Sequence, residues 1–281
     1  MGAADPSGPR RRRPMSSRAF LQASAHLILR TAQPARRWLR IALPFTPPAA
    51  LLAWELTVRI LRVPIYLVPP PSRIFAVLWS ERAIYLQAAM ATLWEAMAGL
   101  ALGMGIALGL AVAATFYPPL ERAVMPLVLL LKAIPLVAIA PILTLWFGFG
   151  PIPKVLMTAL LTFYPALVSW MTGLQAVDPA ALELMRAWNA SDWEILRHLR
   201  WPSAWPYTFT ALKTAVPLAF IGAVVAEWAG ASGGLGRAMW LAQTNLDMPR
   251  LFAGAFLLAA MSLTGYGLAA WGERRVAWWR A

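Results

Sequence analysis

The chain has 281 residues, of which 60% are hydrophobic and only 13% charged, with a net charge of +13 and no cysteine. About a quarter of a typical soluble domain is charged, so the composition excludes an ordinary soluble protein and points to an integral membrane protein. At ~20 apolar residues per span the length allows roughly five to seven helices. Without cysteine there are no disulfides and no thiolate metal sites.

The charge is unevenly placed. Residues 1–40 hold nine arginines and one acid, Asp5, so this stretch supplies +8 and the remaining 241 residues +5. A basic tail is one signature of nucleic-acid binding. Ahead of apolar spans it reads instead as a cytoplasmic tail held near anionic lipid, with no nucleic acid involved. Arg10–Arg13 also faintly resemble a twin-arginine export signal, but His26 to Arg40 is too polar for the apolar core such a signal needs.

A first span is predicted from Ile41 to Leu61, distorted at its start by Pro44, Pro47 and Pro48, with Glu55 and Arg59 paired at i and i+4. Val63–Phe75 is too rich in proline for a helix and reads as a loop into a short interfacial helix at Ile74–Ala83. The second span lies near Ala88–Ala114, where Gly99, Gly103, Gly105 and Gly109 predict close helix–helix contact. The third, Ala123–Trp146, carries Pro126, Pro135 and Pro141 and is expected to be kinked or broken. Phe147–Lys154 reads as a turn, and the fourth span as Val155–Leu174. A polar stretch then runs from about Gln175 to Trp205. The fifth span is Pro206–Trp228, Gly230–Trp240 is a glycine-rich loop continuing into a short amphipathic helix, and the sixth span is Arg250–Trp271. The domain organisation is therefore a basic tail (1–40), a transmembrane domain (41–271) and a short basic C-terminal tail (272–281).

Six spans place both termini on one side. With the tail inside, the inner segments hold sixteen cationic residues and the outer segments six. By the positive-inside rule the polar stretch faces the cytoplasm.

Within that stretch Leu184, Trp188, Ile195, Leu196 and Leu199 recur at helical spacing, with Arg186, Asp192, Glu194, Arg197 and Arg200 between them. Asn189 tolerates the left-handed conformation that ends a helix. Ser191 and Glu194 have the spacing of a capping box. The pattern predicts helix, break, helix, ending before Pro202, on the membrane face. Amphipathicity alone leaves open whether the apolar side rests on lipid or docks in a groove of a partner.

Glu183, Asn189 six residues on and Pro202 thirteen further on share the frame of the cytoplasmic motif E-A-A, three residues, G, nine residues, I-x-L-P. Leu184 and Met185 replace its alanines, Asn189 its glycine, and Leu199-Arg200-Trp201-Pro202 its end. With VPPPSRI, KAIPLVAIAPILTLWFGFGPIPK and the segment from Trp201 to Gly236, the chain from Trp54 to Trp278 resembles permease subunits of ABC importers, in the nitrate, sulfonate and taurine branch. That resemblance implies an all-α, type I importer permease fold with a cytoplasmic coupling helix. It also implies a homodimer, two copies of a cytoplasmic ATP-binding subunit and an extracytoplasmic solute-binding protein. Glu183, Arg186, Asn189, Ala190, Trp193 and Pro202 would shape the coupling element and meet the ATPase. The solute would be of the nitrate, sulfonate or taurine type or a thiamine-precursor pyrimidine.

No G-x-x-x-x-G-K-[ST] loop is present, so ATP hydrolysis is expected in another subunit. His26 and His198 belong to no metal motif; no metal and no cofactor are expected, and the chain is not read as an enzyme. Charges inside spans cost about 2.5–3.5 kcal/mol on insertion scales, which singles out Glu95, Lys132, Lys213 and Glu227 as solute-path candidates. Each has a plainer reading: Glu95 and Glu227 near the outer ends of their helices, with Glu227 meeting water, Lys132 snorkelling or paired, and Lys213 close to the cytoplasmic end. The competing classes are a membrane-embedded structural or enzymatic protein that needs no ATPase, and an exporter permease.

Overall fold

The computed structural model describes residues 46–276. The basic tail and the last five residues lie outside them. Among the described residues, those up to Ile60 form one unit and those from Leu61 a second. In the first, helix α1 (Thr46–Ile60) carries the anticipated ion pair, Arg59 donating to Glu55 at 2.6 Å; the proline-rich beginning of the predicted first span falls partly outside the described residues.

Prolines and glycines divide the second unit as backbone chemistry dictates. α2 (Pro71–Ser80) and α6 (Pro151–Gln175) each open on a proline at the first turn, where a missing N–H costs nothing. α3 (Arg82–Phe116) runs for 35 residues, and α4 (Pro118–Ala133) follows it after a one-residue break. α4 stops at Ile134, which is extended (φ −74°, ψ 129°) because the following Pro135 disfavours a helical conformation there. α5 (Leu136–Phe147) then ends at Gly148 with φ 78°. The predicted third span is thus broken at Pro135, and neither half is long enough to cross a bilayer alone. α7 (Pro179–Ala187) and the single turn α8 (Asp192–Ile195) lead through a π turn, Leu196–Arg200, into α9 (Trp201–Trp228). α10 (Leu235–Thr244) and α11 (Met248–Val276) complete the described chain.

Four helical stretches are long and apolar enough to span a membrane: α3, α6, the continuous run from Asp192 to Trp228, and α11. α4 and α5 together make the return passage between α3 and α6. α6 is the central rod, with α3 on one side and α9 on the other; α11 packs on α9 and α10, and α2 on α11.

Small residues permit these contacts, since helices in lipid associate by close packing. A Cβ on Gly99 would meet Thr158 Cγ2 at 2.6 Å and the Val155 carbonyl at 2.7 Å, one on Gly222 would meet Thr158 Cα at 2.8 Å, and one on Gly173 would meet the Tyr207 side chain at 2.7 Å. The successive pairs Gly99–Thr158 and Gly103–Thr162 show that α3 and α6 run parallel, whereas Gly173–Tyr207 and Gly222–Thr158 make α9 antiparallel to α6. One end of the bundle therefore carries α7, α8 and the C-termini of α3, α6 and α11. The opposite end carries their N-termini, the C-terminus of α9, and α10. Nearer the α7 end the core is Ala107, Ala111, Ala166, Leu167, Trp170, Leu174, Leu196, Ala204 and Ala211. There Trp170 Nε1 donates to Thr208 Oγ1 at 2.9 Å.

Gly105 and Gly109 face open space, so only half of the glycine run makes the expected contact. Gly99→Ala is expected to cost about 1–3 kcal/mol through overpacking. Gly109→Ala should be neutral or stabilising by up to ~1 kcal/mol from helix propensity. Thermal unfolding of the two variants in detergent measures the contrast.

Candidate functional site

Two features stand out, one at each end of the bundle. The first is the bent segment from Asp178 to Ile195. Asp178 accepts from the Ala180 amide at 3.0 Å and caps α7, with Pro179 in the first turn. The helix ends in a Schellman motif: Ala190 N–H donates to the Met185 carbonyl and Asn189 N–H to that of Arg186, both at 3.0 Å, while Asn189 takes φ 55°. Ser191 then starts α8 with a full capping box. Its amide donates to Glu194 Oε2 at 2.7 Å, and its hydroxyl accepts from the Glu194 amide at 3.3 Å. Helix, break and helix thus form as the residues foretold.

The second helix, however, does not end before Pro202. Trp201 N–H reaches back five residues to the Leu196 carbonyl, and the chain continues unbroken into α9. The π turn is where the helix absorbs Pro202, which has no N–H and whose ring crowds the preceding turn. The anticipated apolar stripe also divides. Ile195 and Leu196 are buried and anchor the segment in the bundle, whereas Leu184, Trp188 and Trp193 are 50%, 75% and 60% exposed. α7 buries none of its residues. Among the candidate residues Glu183, Arg186, Asn189 and Trp193 are exposed and Ala190 is half-buried on this one projecting element. Pro202 is half-buried at the start of α9, beyond the π turn.

The second feature is a buried polar cluster at the opposite end. Lys154 Nζ donates to Glu95 Oε1 at 2.5 Å, and both residues are buried. Glu227 is fully buried rather than in water. It accepts from Thr92 Oγ1 at 2.7 Å and from the Gly236 amide. Thr92 Oγ1 in turn accepts from the Leu235 amide at 2.8 Å, so Thr92 and Glu227 together cap the first turn of α10 from outside it. Gly234, at φ 107°, lies against the Glu227 carboxyl, where a Cβ would collide with it. Lys154, expected in a turn, stands inside the first turn of α6 and pairs with Glu95.

Of the other in-span charges, Lys213 pairs with Glu273 across α9 and α11 at 2.7 Å. Lys132 lies on α4, and its side chain is outside the described residues. Residues Gly230 to Gly234 also spell G-x-S-x-G, but Ser232 follows a helix rather than a strand. His198 is at the other end of the bundle, so no nucleophile–base pair forms between them.

Residues 105–278 match the family of binding-protein-dependent transport system inner membrane components. The chain belongs to that family. This inner membrane component is 36% identical to a formylaminopyrimidine transport permease protein of Halalkalibacterium halodurans, over 77% of its own length and 86% of the relative's. It is 33% identical to a riboflavin transport system permease protein of Chloroflexus aurantiacus, over 87% and 92% of the two chains. Among solved structures, an amino acid ABC transporter with histidines matches with a TM-score of 0.56 at 20% identity, over 72% of this chain and 98% of that one. The inner membrane component thus has the type I importer permease fold. It is the multi-pass permease subunit of an ABC importer, working with a separate ATPase subunit and a solute-binding protein.

Proposed function

We propose that the permease functions as a homodimer carrying two ATP-binding subunits, with both termini in the cytoplasm and the α7–α8 segment seated in a cleft of the ATPase. The observation that carries this reading is the exposure of Leu184, Trp188 and Trp193 on an element that buries nothing of α7 within its own chain. An amphipathic helix in that condition is covered by lipid or by a groove of a partner, and membership of a family that works with a separate ATPase subunit favours the groove. Its rigid caps at Asp178 and Ser191, and its covalent continuity with α9 through the π turn, make it a stiff lever. A push on the segment is delivered to the helix that packs on α6, α11 and α10.

Glu183 and Arg186 are the proposed polar contacts with the ATPase, Trp193 its apolar anchor, and Asn189 and Ala190 the bend between the helices; Pro202 sets the joint to α9. Glu183→Lys is expected to leave membrane insertion intact and to reduce uptake by at least about tenfold, the effect of ~1.4 kcal/mol at a coupling contact. Transport assays on membranes with matched permease content measure it, and unchanged uptake counts against the assignment. In this conformation Glu95, Lys213 and Glu227 are held by protein partners, so their proposed part is to shape the solute path rather than to line it. Lys132, in the broken passage between α3 and α6, is the in-span charge proposed to meet solute.

The proposed solute is a small nitrogen heterocycle of the pyrimidine type, in preference to nitrate, a sulfonate or taurine. Its support is the 36% identity to the formylaminopyrimidine permease. Thermal-shift screening of the partner binding protein is expected to select a pyrimidine, which should then be taken up in an ATP-dependent manner. Selection of an alkanesulfonate would reverse the preference.

A further inference from the structure

The cluster at the end opposite α7 has an unbalanced charge. Glu95, Lys154 and Glu227 are 5%, 6% and 0% exposed. Two carboxylates face one ammonium, leaving one negative charge without compensation in a site with almost no access to water, which is costly unless it is neutralised. Glu95 Oε1 receives Lys154, but Glu95 Oε2 is buried and has no donor. Glu95 stands one turn after Thr92 on α3, and the Thr92 hydroxyl donates to Glu227 Oε1 at 2.7 Å, which brings the two carboxyls to one face of α3; the other Glu227 oxygen takes the Gly236 amide. The groups bonded to the pair are Thr92 from α3, Lys154 from α6 and the Gly236 amide from α10, with the Leu235 amide on Thr92; Thr158 stands one turn beyond Lys154 on α6, its buried hydroxyl without a partner.

We propose that Glu95 and Glu227 hold one proton between them, which makes the cluster a proton-binding site latching the loop 229–234 and α10 onto α3 and α6. The shared proton supplies the donor that Glu95 Oε2 lacks and closes the charge balance at zero. Glu227 is also the residue on which the loop hangs. It bonds Gly236 at the start of α10, and Gly234 is pressed against it. When the proton leaves to solvent, two carboxylates confront each other across α3 and α9, and like charges at that range repel. The loop is then released from α3. This site is separate from the α7–α8 segment, so its test does not depend on how the ATPase is seated.

The chain has no native cysteine, which permits clean single-cysteine reporters. In the purified assembled transporter, infrared spectroscopy is expected to show a deuterium-sensitive carboxylic-acid C=O band at neutral pH. Glu227→Gln and Glu95→Gln should each abolish it, because a single carboxylate beside Lys154 balances without a proton. Labelling of Ala231→Cys, a buried loop position, relative to the exposed Ser232→Cys, should rise several-fold at alkaline pH with Glu227 present and stay flat in Glu227→Gln. Should Glu227→Gln fail to assemble, Glu95→Gln carries both readouts, since its amide oxygen can still accept from Lys154, the remaining Glu227 carboxylate keeps the cluster's charge balanced, and the bonds of Glu227 to Thr92 and Gly236 stay in place. Absence of the band in the wild type, its survival in either variant, or a flat labelling ratio in the wild type overturns the proposal.

Discussion

Replacing Trp188 and Trp193 together by alanine is expected to abolish ATP-driven uptake while leaving the permease folded and inserted. The two indoles are 75% and 60% exposed, and neither belongs to the packed core, so their loss removes little that holds the chain together. Surface positions of this kind usually change stability by no more than ~0.5 kcal/mol. At an interface the balance is different: a tryptophan buried in a partner pocket commonly contributes about 2 kcal/mol or more, or roughly 30-fold in affinity per residue. The double variant should therefore lose the ATPase subunit on purification and lose solute-stimulated ATP hydrolysis, with unchanged helix content and membrane yield. By contrast, Leu196→Ala, one turn further on, removes a residue of the core at the α7 end and should cost about 2–5 kcal/mol of stability. The pair of experiments distinguishes a docking face from an anchoring face within a single segment.

The second large effect is expected at Lys154. Its ammonium meets Glu95 at 2.5 Å with both side chains almost wholly buried. Removing one partner of a buried ion pair leaves the other charged without compensation, at a cost of about 3–5 kcal/mol, while removing both in favour of apolar side chains is often near neutral. Lys154→Met should therefore drastically lower the yield of folded permease and its unfolding temperature, and Lys154→Met/Glu95→Leu should recover most of the loss. Similar stability for the single and double variants would mean that the pair contributes no coupling.

Local features of this fold were legible in the residues because their causes are local. Asn189 adopts the left-handed conformation, Ser191 and Glu194 form their box, Arg59 reaches Glu55 one turn back, and Pro135 breaks the third span. Each outcome follows from neighbours within about one helical turn. The misplaced features are those fixed by distant partners. Lys154 looked like a turn residue because it follows Gly148, Gly150, Pro151 and Pro153; its partner, Glu95, stands 59 residues earlier. Glu227 looked exposed because it ends a span beside a tryptophan, but Thr92, 135 residues away, and the folded-back start of α10 cover it. A proline near the start of an apolar span usually marks a boundary, so Pro202 reads as a terminator. Its accommodation by a π turn depends on backbone geometry that residue type alone does not encode. In the polar segment, periodicity identified the apolar residues correctly but not which of them faced inward, a choice made by packing of Ile195 and Leu196 against the bundle.

Seating of the bent α7–α8 segment in the ATPase is read by site-specific cross-linking from Trp188→Cys in the assembled transporter, paired with impermeant labelling of the same position in intact cells. A cross-link to the ATP-binding subunit and protection from the external label are expected. Labelling from outside the cell, or adducts formed only with lipid, would rule that seating out.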